Sequence, residues 1–238
     1  MPYQFTSLSA ILCHPEKDGR TLVDQTISTD TVFCRSLVSE GYLTEQQMLH
    51  AADRYRLGRS KDGAVIFWEI DEQQQIRDGK LMYYHANCHR DKDRNATWVT
   101  SLLKRQKKLS MIFDAERCLF GLHLLPSDLA TTVIVVEAEK TAVICSELYP
   151  GAVWMASGGL TMLNAAKLQP LRDYRVILFP DTDEHGDTFR QWKEVADAAQ
   201  EFFKYPIRVS PILEDNATQE QKIAKIDIVD FIFKKGEV

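Results

Sequence analysis

The sequence has few cysteines, and their spacing excludes two common uses of this residue. The chain contains five of them, scattered and without any CxxC pair. A disulfide framework uses cysteines in pairs, and a zinc ribbon uses closely spaced pairs. We therefore expect reduced thiols and no zinc ribbon. The cysteines are Cys13, Cys34, Cys88, Cys118 and Cys145.

Long apolar runs, a signal sequence and repeats are also missing. No stretch reaches the roughly 20 apolar residues that a membrane-spanning helix needs. The opening residues, MPYQFTSLSAILCHPEKDGR, lack a basic start followed by a long apolar run. No internal repeat or low-complexity segment is visible. These absences predict a cytoplasmic globular protein that has no membrane partner.

The charge is unevenly distributed. The formal net charge of −5 disfavours nucleic-acid binding at first sight, but phosphate contacts depend on local lysines and arginines. The densest basic run predicts contacts with a nucleic-acid backbone. The alternative is a solvated helix end whose cations offset the helix dipole. This basic run consists of Lys104, Arg105, Lys107 and Lys108.

Two regions with different patterns follow one another along the chain. Residues 1–125 begin with helical spacing after Thr31, including a helix start at Thr44. Two β-rich runs follow, 65–70 and 80–84, and they predict a hairpin whose polar connecting segment ends in Asp78-Gly79. Residues 126–238 alternate strands and helices, which predicts a Rossmann-like parallel sheet with helices on both faces. The expected fold is therefore α/β, with a smaller mixed α+β domain before a parallel α/β domain.

Three carboxylates follow strands of the predicted parallel sheet. Glu137 comes directly after TTVIVV, and Asp181 and Asp183 come after VILF and one proline. Because ligands bind at the carboxyl ends of parallel strands, we expect the three side chains at one edge. Their hard oxygens suit Mg²⁺ or Mn²⁺. The alternative for each carboxylate is a helix cap or a solvated turn.

Several other patterns have two interpretations each. Gly158-Gly159 predicts either a phosphate cradle or an ordinary turn. Lys140 begins a predicted helix, where a cation is unfavourable, so a phosphate or an acidic partner would explain its position. The segment around His85 and Cys88 lacks a fourth ligand at zinc spacing, and DTDEHG lacks the remaining ligands of a calcium loop. Neither is expected to bind metal.

The motifs of the second half resemble the Toprim domain of bacterial primases, topoisomerases and some nucleases. Toprim proteins carry one Glu after the first strand and an Asp-x-Asp after a later one, which Glu137, Asp181 and Asp183 match. The pattern VEAEKTA, the Gly-Gly turn and PDTD are most similar to primase-like proteins of phages and bacterial mobile elements. Those proteins usually have Gly where this chain has Ala138. KIDIVDFIF resembles the terminal Toprim motif, which makes Asp227 a further metal ligand or, alternatively, a helix N-cap.

The resemblance implies a metal-dependent enzyme of DNA replication, a primase-like nucleotidyltransferase that acts on single-stranded DNA and nucleotides. Glu137 would serve acid/base or metal-organising chemistry, Asp181 and Asp183 would hold Mg²⁺ or Mn²⁺, and the basic run would contact the template. Residues 33–125 resemble the domain that precedes Toprim in such proteins. The zinc ribbon and helicase module usual in primases are not visible, so a helicase or another replication protein is an expected partner.

Two other functions use the same residues differently. A Toprim-type nuclease would cleave with the same carboxylates, and a non-catalytic accessory protein of a mobile element would need only the basic run. In a primase-like enzyme and in a nuclease alike, the negative charges of these carboxylates repel one another when no metal is bound. We therefore expect substitution of Glu137 or Asp183 to leave the metal-free fold as stable or more stable.

Overall fold

The computed structural model describes Leu12 and residues 21–233, and it divides into two compact units. The first unit is Met1–Cys118 and the second is Leu119–Val238. Cys13 lies outside the described residues. Among the described residues, no disulfide joins Cys34, Cys88, Cys118 or Cys145. No helix among the described residues is long and apolar enough to cross a membrane.

The first unit combines short helices with an antiparallel sheet in the order β1-β2-β3-β4. Threonine side chains cap the helices that begin at Leu22, Val32 and Glu45, and the predicted start at Thr44 is a capping box with Gln47. Phe33 and Phe67 pack edge to face inside this unit. The elements, in chain order, are α1 (Leu22–Thr26), α2 (Val32–Ser39), α3 (Glu45–Arg54), β1 (Gly58–Arg59), β2 (Val65–Ile70), β3 (Ile76–Met82), β4 (Thr97–Trp98) and α4 (Val99–Arg105).

The hairpin of β2 and β3 is present, but β3 begins at Ile76, inside the segment that the sequence predicts to connect the two strands. Asp71 builds the turn, because its Oδ1 accepts the N–H groups of Gln73 and Gln75. Asp78 and Gly79 are inside β3 instead. A Cβ on Gly79 would lie 2.7 Å from ring atoms of Trp68. The glycine is therefore required by close packing against a neighbouring strand, and the turn is made by a side chain.

The second unit is a parallel sheet flanked by helices, as predicted. Its strand order is β6-β5-β7-β8, and all three pairings are parallel. The inner strands are rich in β-branched residues because both faces are covered. Its elements are β5 (Thr132–Val136), α5 (Glu139–Leu148), β6 (Ala152–Ala156), α6 (Ala165–Leu168), β7 (Arg175–Phe179), α7 (Asp187–Ala199), β8 (Arg208–Val209), α8 (Ile212–Asn216), α9 (Gln219–Ala224) and α10 (Ile228–Ile232).

Residues 119–125 belong to the second unit, whereas the sequence pattern places the boundary at Pro126. Phe120 and Ala156 exchange both backbone hydrogen bonds, at 2.9 and 3.0 Å. This pairing satisfies part of the outer edge of β6. Leu119 and Leu122 are also buried. The segment therefore completes the second sheet and its core.

Candidate active site at the edge of the second sheet

Glu137 and Asp181 leave neighbouring strands at the same edge of the parallel sheet. Val136 ends β5 and is in register with Phe179, which ends β7. Glu137 follows β5 directly, and Asp181 follows β7 after Pro180. Parallel strands end on the same side, so the topology brings the two carboxyl groups close together.

The carboxyl group of Asp181 lies in an acidic and partly buried environment. Burial raises its pKa most, and the charges of Glu137, Asp227 and Asp230 raise it further, while Lys140 acts in the opposite direction. The pKa of Asp181 is therefore well above its usual range. Negative charge is concentrated at this edge of the sheet, and a bound cation would relieve the repulsion.

Asp183 is held by the loop that follows it. Its Oδ1 accepts the N–H groups of His185 and Asp187, each at 3.0 Å, and its Oδ2 accepts the N–H of Thr188 at 2.6 Å. Burial acts to raise the pKa of Asp183, but these hydrogen bonds outweigh it and hold the pKa far below its usual range. The carboxylate therefore caps the start of α7, and its role as a metal ligand stays a prediction.

Asp227 has the contacts of a helix cap. It is the N-cap of α10, where its Oδ1 accepts the N–H of Asp230 at 2.8 Å. Its Oδ2 accepts the hydroxyl of Thr141 at 2.6 Å, a bond between two buried side chains that joins α10 to α5. No sequence pattern identified the bond to Thr141, since 86 positions separate the two residues.

Lys140 has two acidic partners. Its Nζ lies 3.9 Å from Asp227 Oδ2 and 3.9 Å from Asp230 Oδ1. The side chain is only 11% exposed. Of the two explanations that the sequence allows for a lysine at the start of α5, the structure shows the acidic one. The expected contact of Lys140 with nucleic acid stays a prediction.

The Gly158-Gly159 turn holds the backbone beside Glu137. The N–H of Gly158 donates to the carbonyl of Glu137 at 3.0 Å, and the N–H of Ser157 donates to that of Val136 at 2.9 Å. Both glycines have positive φ, 90° and 147°, which favours glycine over other residues. The turn therefore continues the pairing of β5 with β6 past the strand ends. Phosphate binding by the pair stays a prediction.

The basic run ends helix α4 in the first unit. Lys104 and Arg105 are in its last turn, where cations interact favourably with the helix dipole. Arg105, Lys107 and Lys108 are exposed, and Lys104 is half-buried. This placement is compatible with both interpretations of the run, template contact and a solvated helix end.

The donor groups of the sheet edge fit a hydrated divalent cation. In the part of the chain that the structure describes, no three histidine, cysteine, aspartate or glutamate side chains converge closely enough to hold a metal ion. Mg²⁺, however, is commonly held by one or two carboxylates, with water and substrate phosphates as further ligands. Glu137 and Asp181 provide such a pair. The predicted three-carboxylate site with Asp183 is not assembled in the structure.

A family described as a domain of unknown function, DUF6371, matches residues 32–182. This segment is more than half of the 238 residues. The chain belongs to the DUF6371 family. A search of curated proteins found no significant match.

Solved primase catalytic cores have the fold of this DUF6371 protein. The E. coli primase catalytic core matches with a TM-score of 0.56 and 15% identity, over 96% of this chain and 83% of that chain. The DnaG primase catalytic domain bound to ssDNA matches with a TM-score of 0.54 and 17% identity, over 90% and 73%. At these identities the similarity establishes the fold, and function has to be argued from the site.

The primase fragment of the bacteriophage T7 primase-helicase protein is a third similar structure. It has 20% identity and a TM-score of 0.47, and the match covers 74% of this chain. The chain spans 63% of the length of that fragment.

The DUF6371 match includes some residues of the sheet edge and excludes others. It contains Glu137, Lys140 and Asp181, and it ends at Thr182. Asp183 and the α10 carboxylates follow the matched segment. The family segment therefore includes both carboxylates of the pair that fits a cation.

Proposed function

We propose that this protein is a divalent-metal-dependent nucleic-acid enzyme with a Toprim-type site, which performs primase-like nucleotidyl transfer on single-stranded DNA. One observation carries the proposal. Glu137 and Asp181 follow the ends of adjacent parallel strands, and the pKa of Asp181 is raised by burial and by Glu137. A fold gains no stability from crowding carboxylates, so such a group indicates a cation that binds there.

Each part of the sheet edge has a separate role in this proposal. Glu137 and Asp181 hold the cation, and a bound Mg²⁺ or Mn²⁺ would stabilise the charge that develops on a transferring phosphoryl group. The Gly158 N–H fixes the backbone of Glu137. Asp183 holds the loop after Asp181 in one conformation through its three backbone bonds. The site is therefore rigid before a cation binds.

The proposal places the template on the first unit. One structure with the same fold is that of a primase catalytic domain bound to ssDNA, which supports the same kind of partner for this chain. Lys107 and Lys108 are exposed there and available to phosphates. A helicase or another replication protein of a phage or mobile element is the further partner that the Toprim resemblance implies.

The test is incubation of the full chain with labelled single-stranded DNA, nucleotides and Mn²⁺. Primase-like activity gives products longer than the nucleotides supplied, and Asp181→Asn abolishes them because one of the two cation ligands is lost. Asp197→Asn is the matched control, since Asp197 is an exposed aspartate on α7. It should retain full activity.

The other outcomes identify the alternatives. Shortened DNA that depends on Asp181 would mean a Toprim-type nuclease. DNA that is bound but unchanged, with equal behaviour of Asp181→Asn and the parent, would contradict an enzymatic role.

A further inference from the structure

Lys140 brings a positive charge into the most acidic part of the sheet edge. Its ammonium group is equidistant, at 3.9 Å, from one carboxylate oxygen of Asp227 and one of Asp230. The side chains of these three residues are between 8% and 19% exposed. A pair in such a position is weakly screened by water, so the interaction is stronger than that of a surface salt bridge.

The partners of Lys140 are fixed by other contacts. Asp227 accepts hydrogen bonds from Thr141 and from the backbone of Asp230. Asp230 in turn accepts the N–H of Asp227 at 3.4 Å, which completes the capping box of α10. The two carboxylates therefore cannot move far from the ammonium group, and the charge of Lys140 is held at one position.

The sheet edge thus contains four carboxylates, and the charges of Glu137, Asp227, Asp230 and Lys140 all act on Asp181. Glu137 and Asp181 follow the strand ends, whereas Asp227 and Asp230 share the ammonium of Lys140. Two-metal sites that act on phosphodiesters hold their ions about 3.5–4 Å apart, each with carboxylate ligands. A second divalent cation bound by the α10 carboxylates would have to displace Lys140.

We propose that Lys140 is a positioning residue that replaces a second metal ion, so that the sheet edge binds one divalent cation and uses the lysine ammonium as its other, permanent positive charge. This inference rests on the proposed metal-dependent function and deepens it, because it states how many metal ions the site takes. The ammonium group carries one positive charge where a divalent ion carries two, and it cannot dissociate from the protein. It keeps α5 and α10 together when no metal is present.

The test is the number of Mn²⁺ ions bound per chain, measured by calorimetric titration of the full-length protein. Lys140→Met keeps most of the aliphatic stem and removes the charge. It should bind one more Mn²⁺ than the parent, through Asp227 and Asp230. Adding Asp230→Asn to Lys140→Met should remove the extra ion. Lys140→Arg keeps the charge and should bind the same number as the parent.

A second lysine provides the matched control. Lys222 Nζ lies 3.1 Å from Glu214 Oε2, in the same unit and with similar exposure. Lys222→Met removes this ion pair, which among the residues that the structure describes joins the lysine to one carboxylate, that of Glu214, and it should add no Mn²⁺. Thermal melting in EDTA checks folding. Lys140→Met should melt at a lower temperature than the parent, and Mn²⁺ should restore more of its stability. If this variant folds only with Mn²⁺, the proposal is supported. If it does not fold in either condition, Lys140→Gln undergoes the same titration.

The result separates the inference from the proposed function. Equal numbers of Mn²⁺ in the parent and in the charge-removing variant would overturn the role of Lys140, whatever the parent binds. A parent that binds no Mn²⁺, beside a variant that binds one, would support Lys140 as the replacement cation and contradict the metal-dependent function. If Asp181→Asn removes the ion bound by the parent, the cation site of Glu137 and Asp181 is supported whatever the result at Lys140.

Discussion

Individual aspartates at the sheet edge differ most clearly in what surrounds the carboxyl group. Asp181 is close to other carboxylates, and Asp183 accepts three backbone N–H groups. The pKa of the first is raised and that of the second is lowered. The Asp-x-Asp pattern predicts the same role for both residues. From their surroundings in the structure, we expect the two carboxylates to have opposite effects on the stability of the metal-free protein.

Removing the charge of Asp181 should stabilise the metal-free protein. In EDTA at pH 8 we expect Asp181→Asn to melt about 2–4 °C higher than the parent, the shift that roughly 1 kcal/mol gives a protein of this size. An acid whose folded pKa lies above its unfolded pKa loses stability as the pH rises through that interval. The advantage of the variant should therefore shrink toward zero as the pH falls to about 4.

Calorimetric melting across this pH range measures the difference. Asp197→Asn, on the exposed face of α7, should show no pH-dependent difference from the parent. An Asp181→Asn variant that melts below the parent at pH 8 would mean that this carboxylate stabilises the fold.

Removing Asp183 should have the opposite effect, contrary to the expectation from the sequence. Asp183→Ala leaves the N–H groups of His185, Asp187 and Thr188 without their acceptor. The cost should be about 2 kcal/mol, or a melting temperature lowered by about 4–8 °C. A folded pKa below the unfolded pKa means that this stability is present above the unfolded value and is lost as the pH falls below it.

Melting in EDTA at pH 7 and at acidic pH checks both statements. Asp187→Ala provides a control, since its carboxylate is exposed and pairs with Arg190 on the same helix. If Asp183→Ala melts at or above the temperature of the parent, Asp183 instead belongs to the cluster of mutually repelling carboxylates that the Asp-x-Asp motif predicts.

Among the elements, helix α4 carries the predicted contact with DNA. Lys107 and Lys108 follow its C-terminus and are exposed. Replacing both with Ala should weaken single-strand binding and reduce the slope of log affinity against log salt by about 1.4, because each phosphate contact contributes about 0.7 for single strands. Fluorescence anisotropy at several salt concentrations measures the slope.

Replacing both Lys193 and Lys204 with Ala is the control for the loss of two positive charges. Both residues are exposed and lie in the second unit. Equal slopes for the two double variants would show that the end of α4 is only a solvated surface.

At the scale of the whole molecule, the division into units decides which fragments can fold. Residues 119–125 supply the Phe120 pairing to β6 and two buried leucines. We predict that residues 119–238 fold on their own, whereas residues 126–238 melt at a markedly lower temperature or not cooperatively. Circular dichroism melts of the two fragments test this. Equal melting would favour the boundary at Pro126.

The sequence by itself determined the α/β fold of the second half and the carboxylates that end its strands. Strand periodicity and chain order are local properties, and parallel strands necessarily end at a common edge. The start of α3 at Thr44 was likewise predictable, because a capping box depends on residues three positions apart.

Only the tertiary structure decided what each polar group contacts. The bond from Thr141 to Asp227 and the two partners of Lys140 join residues more than 80 positions apart. The packing of Gly79 against Trp68 likewise depends on how two strands pair. Such contacts follow from the three-dimensional arrangement of elements, which local propensity does not encode. Whether a carboxylate is a cap, a counter-ion or an available ligand is therefore a property of the folded chain.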